Sequence, residues 1–223
     1  MSCGRCALSW PGIGGEVLKR ALDLVVALVG LVLLAPVLAV IAVLVKCGSP
    51  GPILYVGERI GRNGRPFRMA KFRSMAVDAD QRGPAITYSG DLRVTRVGAW
   101  LRRTKLDELP QLWNVLRGDM SLVGPRPEAP PYVALYTPEQ RQVLQVRPGI
   151  TGLTQLTYRK EEEQLSPTTW EEDYVHVLLP RKLALDLEYI RRQSLVLDLQ
   201  ILACTAWLLV RDRLTHCDDN HGH

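Results

Sequence analysis

A chain of 223 residues has room for one domain with an appendage. Its 47% hydrophobic and 23% charged residues exclude a disordered chain and a collagen-like repeat. Lys and Arg outnumber Asp and Glu by 28 to 23, for a net charge of +5. The two Phe and seven Tyr do not interleave with basic runs, so the excess charge points to anionic lipid or phosphate-bearing ligands rather than nucleic acid.

Residues 1–18 read as an N-terminal tail. In it Cys3-x-x-Cys6 has no second pair at zinc-finger spacing. The five cysteines, with Cys47, Cys204 and Cys217, form no disulfide framework and fit a reducing compartment. From Leu24 to Val45 the chain runs 22 residues without a charge, enough to cross a bilayer. Lys46-Cys47-Gly48 is no cleavage site, so a signal peptide fits poorly. Lys19 and Arg20 precede the segment, and Lys46, Arg59, Arg62 and Arg65 follow it, pulling both ends toward the cytoplasm. A kinked span is the alternative to a re-entrant path; a straight single span cannot satisfy both ends. A re-entrant helix-break-helix over 19–46, broken at Pro36, can. Asp23, one turn after Lys19-Arg20, is expected to pair with them at the headgroup level.

Residues 47–180 read as the catalytic domain. Gly48 to Pro52 is a turn cluster, Ile53 to Val56 a short strand, and 57–66 a basic turn. Phe67 to Met75 alternates apolar and basic residues, which predicts a half-buried strand with a cationic face. Residues 76–95 read as a loop with lid character. Apolar residues from Val97 to Leu116 recur at three to four residue spacing. They predict helix over 95–117, divided near Pro110 and capped by Gly118. Gly124-Pro125-Arg126-Pro127 fixes a rigid turn that aims one guanidinium, and helix over 138–146 ends at Arg147-Pro148-Gly149. Two amphipathic stretches follow within 181–214. The first alternates Leu183, Leu185, Leu187 and Ile190 with Arg181, Lys182, Arg191 and Arg192. The second, 197–210, suits either a membrane interface, with Trp207 and Arg211, or a core helix. Residues 215–223 read as a solvated tail.

His176 is the only histidine outside that tail, and no Walker loop or GxGxxG occurs. Carboxylate and arginine chemistry remains, the set suited to phosphoryl transfer. Asp107-Glu108 lies between Arg102-Arg103-x-Lys105 and Leu109-Pro110. Such a pair can bind Mg²⁺ and present a nucleophilic oxygen, or can be a solvated or salt-bridged pair.

TKLDELPQLWNVLRGDMSLVGPRPE, with KRALD and KFRSM before it and VRPGITG behind it, resembles the bacterial sugar transferases over residues 17–210. These are the monotopic polyprenyl-phosphate hexose-1-phosphate transferases. The resemblance implies a mainly helical α/β enzyme with a re-entrant helix, on the cytoplasmic face of the bacterial inner membrane among its lipids. The reaction it implies moves a sugar-1-phosphate from a UDP-sugar to undecaprenyl phosphate and releases UMP. It is a first membrane step of surface glycan synthesis, with hand-over to downstream glycosyltransferases, and it leaves room for a homodimer. Asp107 falls on the family's nucleophile and metal ligand for Mg²⁺, with Mn²⁺ able to substitute, and Glu108 falls on its partner. Lys71, Arg126 and Arg159 fall on basic positions near the phosphates. Arg73, Arg102, Pro127, Arg147 and Gln155 complete the expected substrate-binding set, and Lys19, Arg20, Asp23 and Pro36 the membrane set. Ala35-Pro36 stands where the family often has Ser-Pro. Residues 153–160 lack the family's tryptophan and Asn-Gly-Arg, a departure that bears on sugar or base specificity. A non-catalytic lipid-binding anchor and a Mg²⁺-dependent lipid phosphatase are the alternatives.

Overall fold

The N-terminal helix α1 (Ile13–Gly48) begins before the expected Lys19 and runs unbroken through Pro36. One proline removes one hydrogen bond, and the flanking turns hold the helix together where a break between two helices was expected. The computed structural model describes residues 13–79, 90–159 and 170–218. Cys3, Cys6, Lys160, the end of the C-terminal tail and the middle of the 76–95 loop lie outside them.

Buried and half-buried positions on α1 recur every three to four residues, through Asp23, Ala27, Gly30, Leu34, Leu38, Ile41 and Val45. That stripe packs along the rest of the chain from end to end. Arg20 donates to the carbonyls of Val115 and Met120, while Ile41 and Val45 join Phe72 and Leu101 in a small core. The other faces of α1 expose large apolar side chains such as Val25, Val32, Leu33 and Val40. Among the described residues it is the one helix long and apolar enough to cross a membrane.

Strands β1 (Leu54–Ile60) and β2 (Pro66–Phe72) form an antiparallel hairpin with Leu54 opposite Phe72. Its turn is a 3₁₀ piece at Arg62–Gly64. The alternation in β2 places Phe67, Met69 and Lys71 in one row. The predicted cationic face is therefore only partly right: Lys71 shares the inward row with two core residues, and Arg68 faces out.

Helix α2 (Arg96–Thr104) starts at an N-cap where Thr95 Oγ1 accepts from the Gly98 amide, 2.9 Å. Gly98 is required there, because a Cβ would meet the Ser74 carbonyl oxygen at 1.9 Å. A 3₁₀ turn at Leu106–Glu108 separates α2 from α3 (Gln111–Arg117), with Pro110 at the start of α3 and Gly118 ending it at φ +94°. Strand β3 (Ser121–Val123) pairs in parallel with β4 (Gly149–Thr151). Between them lie α4 (Pro130–Ala134) and a 3₁₀ helix at Gln140–Gln145, and after β4 comes α5 (Leu153–Thr157).

Helix α6 (Trp170–Asp173) widens into a π turn at Tyr174–Leu178 and continues as α7 (Leu179–Arg192). Pro180, lacking an amide hydrogen, sits just after the widened turn and accounts for it. Helix α7 is more a core helix than an interface helix, since Leu179, Leu183, Leu187 and Ile190 lie in the main core. Lys182, expected on its polar side, is buried with them. Helix α8 (Leu195–Asp218) serves both expected purposes. Asp198 and Ile201 point inward, while Val196, Leu199, Trp207 and Val210 are exposed. Cys47 and Cys204 are free thiols.

Candidate active site

Asp107 and Glu108 stand in the 3₁₀ turn between α2 and α3. The turn is set by Lys105, whose φ of +58° places a non-glycine residue in the left-handed region. Such a conformation costs about 1 kcal/mol or more, so the surroundings must hold it. The Lys105 amide donates to the Leu101 and Arg102 carbonyls, and its carbonyl accepts from the Glu108 amide. Asn114 on α3 anchors the strand beside the turn. Its side chain accepts from the Ala70 amide at 3.0 Å and donates to the Arg68 carbonyl at 2.7 Å. It replaces a neighbouring strand along β2 and thereby fixes Lys71 against the carboxylate turn.

Lys71 Nζ donates to Glu108 Oε1 at 2.7 Å, and Arg126 donates to the same oxygen at 3.0 Å. Burial opposes the ionised form of Glu108, but Lys71 and Arg126 more than offset it and hold its pKa well below the usual carboxylate range. Burial likewise lowers the Lys71 pKa, with Glu108 pulling it back. Asp107 behaves in the opposite sense. It is 6% exposed, and burial raises its pKa, countered by Lys71 and reinforced by the charge on Glu108. Its Oδ1 is buried without a hydrogen-bond partner. An unpaired buried carboxylate oxygen is costly unless a ligand meets it.

That oxygen suits a divalent cation of the Mg²⁺ type, which takes hard oxygens and commonly uses one or two protein carboxylates plus substrate phosphate. No group of three His, Cys, Asp or Glu side chains able to enclose a metal occurs among the described residues. The residues therefore fit a shared protein–substrate metal site and do not fit a closed structural one.

The expected set divides. Lys71, Asp107, Glu108 and Arg126 meet, and Arg102 is close enough to affect Asp107 electrostatically. Pro127 is buried beside Arg126 in the rigid turn. Gln155, on α5 beside the Gly124–Gly152 contact, buries both its amide oxygen and nitrogen without partners. Gln111, one turn beyond Asp107, does the same with Nε2 and was not among the expected site residues. Arg73 is not in the site. It donates to the carbonyls of Val45, Ser49 and Pro50 and closes the C-terminal end of α1. Arg147 donates to the Gly118 carbonyl and neighbours Arg20 and Arg62 instead. No described contact joins Arg159 to the carboxylates. Asp23 does not pair with Lys19 or Arg20: it accepts from Ser121 Oγ at 2.8 Å and from the Leu122 amide at 3.2 Å, and Lys19 pairs with Asp198.

Sequence reading missed a second set behind Arg126. Lys182 Nζ reaches Glu128 Oε1 and the Tyr174 hydroxyl, each at 3.0 Å, and Tyr174 donates to Glu128 at 2.7 Å. Asp186, one turn along α7, accepts from Thr154 Oγ1 at 2.5 Å and from the backbone amide of Arg126. Gly124 to Glu128 is thus held from inside while the Arg126 guanidinium points to Glu108. The available signal was Lys182 and Asp186 at i, i+4 within the apolar register of α7.

The family model for bacterial sugar transferases matches residues 14–212, and the chain belongs to that family. It is 42% identical over 199 residues to the UDP-glucose:undecaprenyl-phosphate glucose-1-phosphate transferase of Caulobacter vibrioides, covering 87% of this chain and 70% of the relative. It is 43% identical over 146 residues to the UDP-N-acetylgalactosamine-undecaprenyl-phosphate N-acetylgalactosaminephosphotransferase of Aeromonas hydrophila. That match covers 63% of this chain and only 34% of the relative, so the chain spans about a third of that protein. The exopolysaccharide production protein PSS of Rhizobium leguminosarum is 43% identical over 193 residues, covering 83% of this chain and 92% of the relative.

Proposed function

We propose that this chain is a membrane-associated transferase that moves a sugar-1-phosphate from a UDP-sugar to undecaprenyl phosphate, releasing UMP. One observation carries the reading: a buried aspartate with an unpaired oxygen beside a glutamate already saturated by Lys71 and Arg126. The relatives named for this reaction use glucose or N-acetylgalactosamine, and both sugars are candidates here.

In the first half-reaction an Asp107 carboxylate oxygen attacks the sugar-bearing phosphorus. The bond to the bridging oxygen breaks, UMP departs with the electron pair, and a phosphosugar-aspartate remains. In the second, a phosphate oxygen of undecaprenyl phosphate attacks that phosphorus and frees the Asp107 carboxylate. Splitting the transfer suits substrates that arrive in turn from water and from lipid, and gives ping-pong kinetics. Lys71 and Arg126 supply positive charge where the pyrophosphate must sit. Glu108, bonded to both and held ionised, positions those cations and is a poor proton acceptor. Gln155 and Gln111 offer unpaired amide groups for hydrogen bonds to the nucleotide sugar. Asp107 would hold a Mg²⁺, or Mn²⁺ in its place, which would supply further positive charge against the pyrophosphate.

The membrane placement follows from α1. An ideal helix of this length measures about 54 Å, longer than a hydrocarbon core of about 30 Å. Both of its ends pack on the same catalytic body, and its outer faces are apolar. This supports a helix that lies along one leaflet with its outer faces in the hydrocarbon and the catalytic body at the cytoplasmic face of the inner membrane. The unbroken run through Pro36 lacks the turn-back that a re-entrant path needs.

The test is UMP release from UDP-glucose and UDP-N-acetylgalactosamine, with and without undecaprenyl phosphate. One equivalent of UMP per enzyme without lipid, with a hydroxylamine-labile adduct on the Asp107 peptide, is expected. Release that waits for the lipid would leave Asp107 without its nucleophilic role. Continuous release without the lipid, yielding free sugar phosphate, would mark a hydrolase. Full turnover after exhaustive chelation would remove the metal.

A further inference from the structure

An open, cation-lined cavity lies where the start of α1, the hairpin turn and the corner between α7 and α8 converge. Four cations line it: Lys19, Arg20, Arg62 and Arg147. Two of its carboxylates are already spent. Asp198 accepts from Lys19 and from the Tyr189 hydroxyl, and Asp23 accepts from Ser121 and the Leu122 amide. Arg20 is used on two backbone carbonyls. Arg147 spends its Nε on the Gly118 carbonyl, and its two terminal nitrogens make no hydrogen bond. Arg62 has only a 3.5 Å pairing with Glu16. Burial, then the charges of Arg20 and Arg62, work against the Arg147 cation, so the cavity holds more positive charge than it neutralises.

A shallow dimple between α1 and α8 shares Lys19, Asp23, Leu195 and Asp198 with this cavity. Its remaining walls are apolar: Leu22, Val123, Leu199 and Leu202. Beyond it, Val25 and Val26 on α1 and Val196 and Leu199 on α8 are exposed. A guanidinium-lined cavity beside exposed apolar side chains of two helices matches an amphiphile with a phosphate head and a hydrocarbon tail.

We propose that this cavity binds one anionic phospholipid of the surrounding bilayer, its phosphate between Arg62 and Arg147 and an acyl chain along the exposed apolar side chains of α1 and α8. The inference rests on the membrane placement proposed above. It is a site separate from the transfer site: no residue lining it bonds to, or leads the electrostatics of, Asp107 or Glu108. The prenyl acceptor must bring its phosphate to Asp107 and so is not the occupant. A free phosphate ion would explain the cations but not the exposed apolar side chains beside them.

Native mass spectrometry of the full chain in detergent micelles reads the site directly. With added phosphatidylglycerol, wild type should retain one lipid per chain, while phosphatidylcholine should not be retained. Arg62→Gln should weaken retention about tenfold, the scale of one charge-assisted contact. Arg147→Lys, which keeps the charge, should weaken it less than Arg147→Gln. Arg62 serves as the main variant because it supports no backbone carbonyl, and an unchanged melting temperature would certify its fold. Equal retention of both lipids, or of phosphatidylglycerol by wild type and Arg62→Gln, would overturn the proposal. So would displacement of the lipid by millimolar inorganic phosphate, which would assign the cavity to a soluble anion. Retention is read without turnover, so failure of the transferase reading and failure of this one remain distinguishable.

Discussion

Two sets of buried charges share the segment from Gly124 to Glu128, and the fold treats them in opposite ways. On one side Glu108 is saturated by Lys71 and Arg126, while Asp107 keeps an unpaired oxygen. On the other, Glu128, Lys182, Tyr174, Asp186 and Thr154 close into a network, with both carboxylates multiply bonded. A closed network stabilises a backbone; an open one awaits a ligand. The rigid turn at Arg126 needs both, since its backbone amide belongs to the second set and its guanidinium to the first.

The largest expected effect breaks the open set. Asp107→Asn removes the nucleophilic charge, so transfer should fall by on the order of 10³-fold or more. Its melting temperature should match or exceed that of wild type, because a buried charge disappears and no partner is stranded. A variant within tenfold of wild-type turnover would show that Asp107 is not the attacking group.

The closed set should respond through stability instead. Lys182→Met leaves the Glu128 carboxylate buried without its cation, which costs about 3–5 kcal/mol. Denaturant unfolding in detergent would measure this, and adding Glu128→Gln should recover part of the loss. A cost under about 1 kcal/mol would mean that the network is not shielded from water.

What the sequence disclosed follows the same division. Long-period and two-residue patterns disclosed α1, β2, the α2–α3 pair with its Pro110 and Gly118 boundaries, and α7. By contrast, β1 runs to Ile60 through what read as a basic turn and pairs with β2. The Asp107-Glu108 pair and the proline-locked Arg126 stood out because such residues are unusual in an apolar helical setting. Polar side chains that serve the interior were misplaced. Lys182 looked like surface, Arg73 like substrate contact, and Asp23 like a local partner for Lys19, whereas the partners of all three lie far away in the chain. A long-range hydrogen bond leaves no periodic trace. Asn114 acting as a substitute strand along β2 leaves none either.

The smallest effect concerns the pH response of the closed set. Burial pushes the Asp186 pKa up to about 7, against the hydrogen bond from Thr154 and the charge of Lys182. The folded chain therefore holds a proton there that the unfolded chain, with a carboxyl near 3.8, releases over the same range. Stability from this group is fully present below about pH 4, declines as pH rises through about 7, and is constant above that. Asp186→Asn cannot titrate and should lack this component, while its amide oxygen can still accept from Thr154 and from the Arg126 amide. The stability of wild type relative to the variant should fall steadily between about pH 4 and pH 7 and then level. Thermal melts of the two proteins side by side in detergent, taken every half pH unit, would show it. A difference independent of pH would mean that Asp186 stays ionised throughout, and that the closed set holds an uncompensated charge as the open set does. Turnover should change far less than in Asp107→Asn, because Asp186 acts on Arg126 through the backbone and touches no substrate.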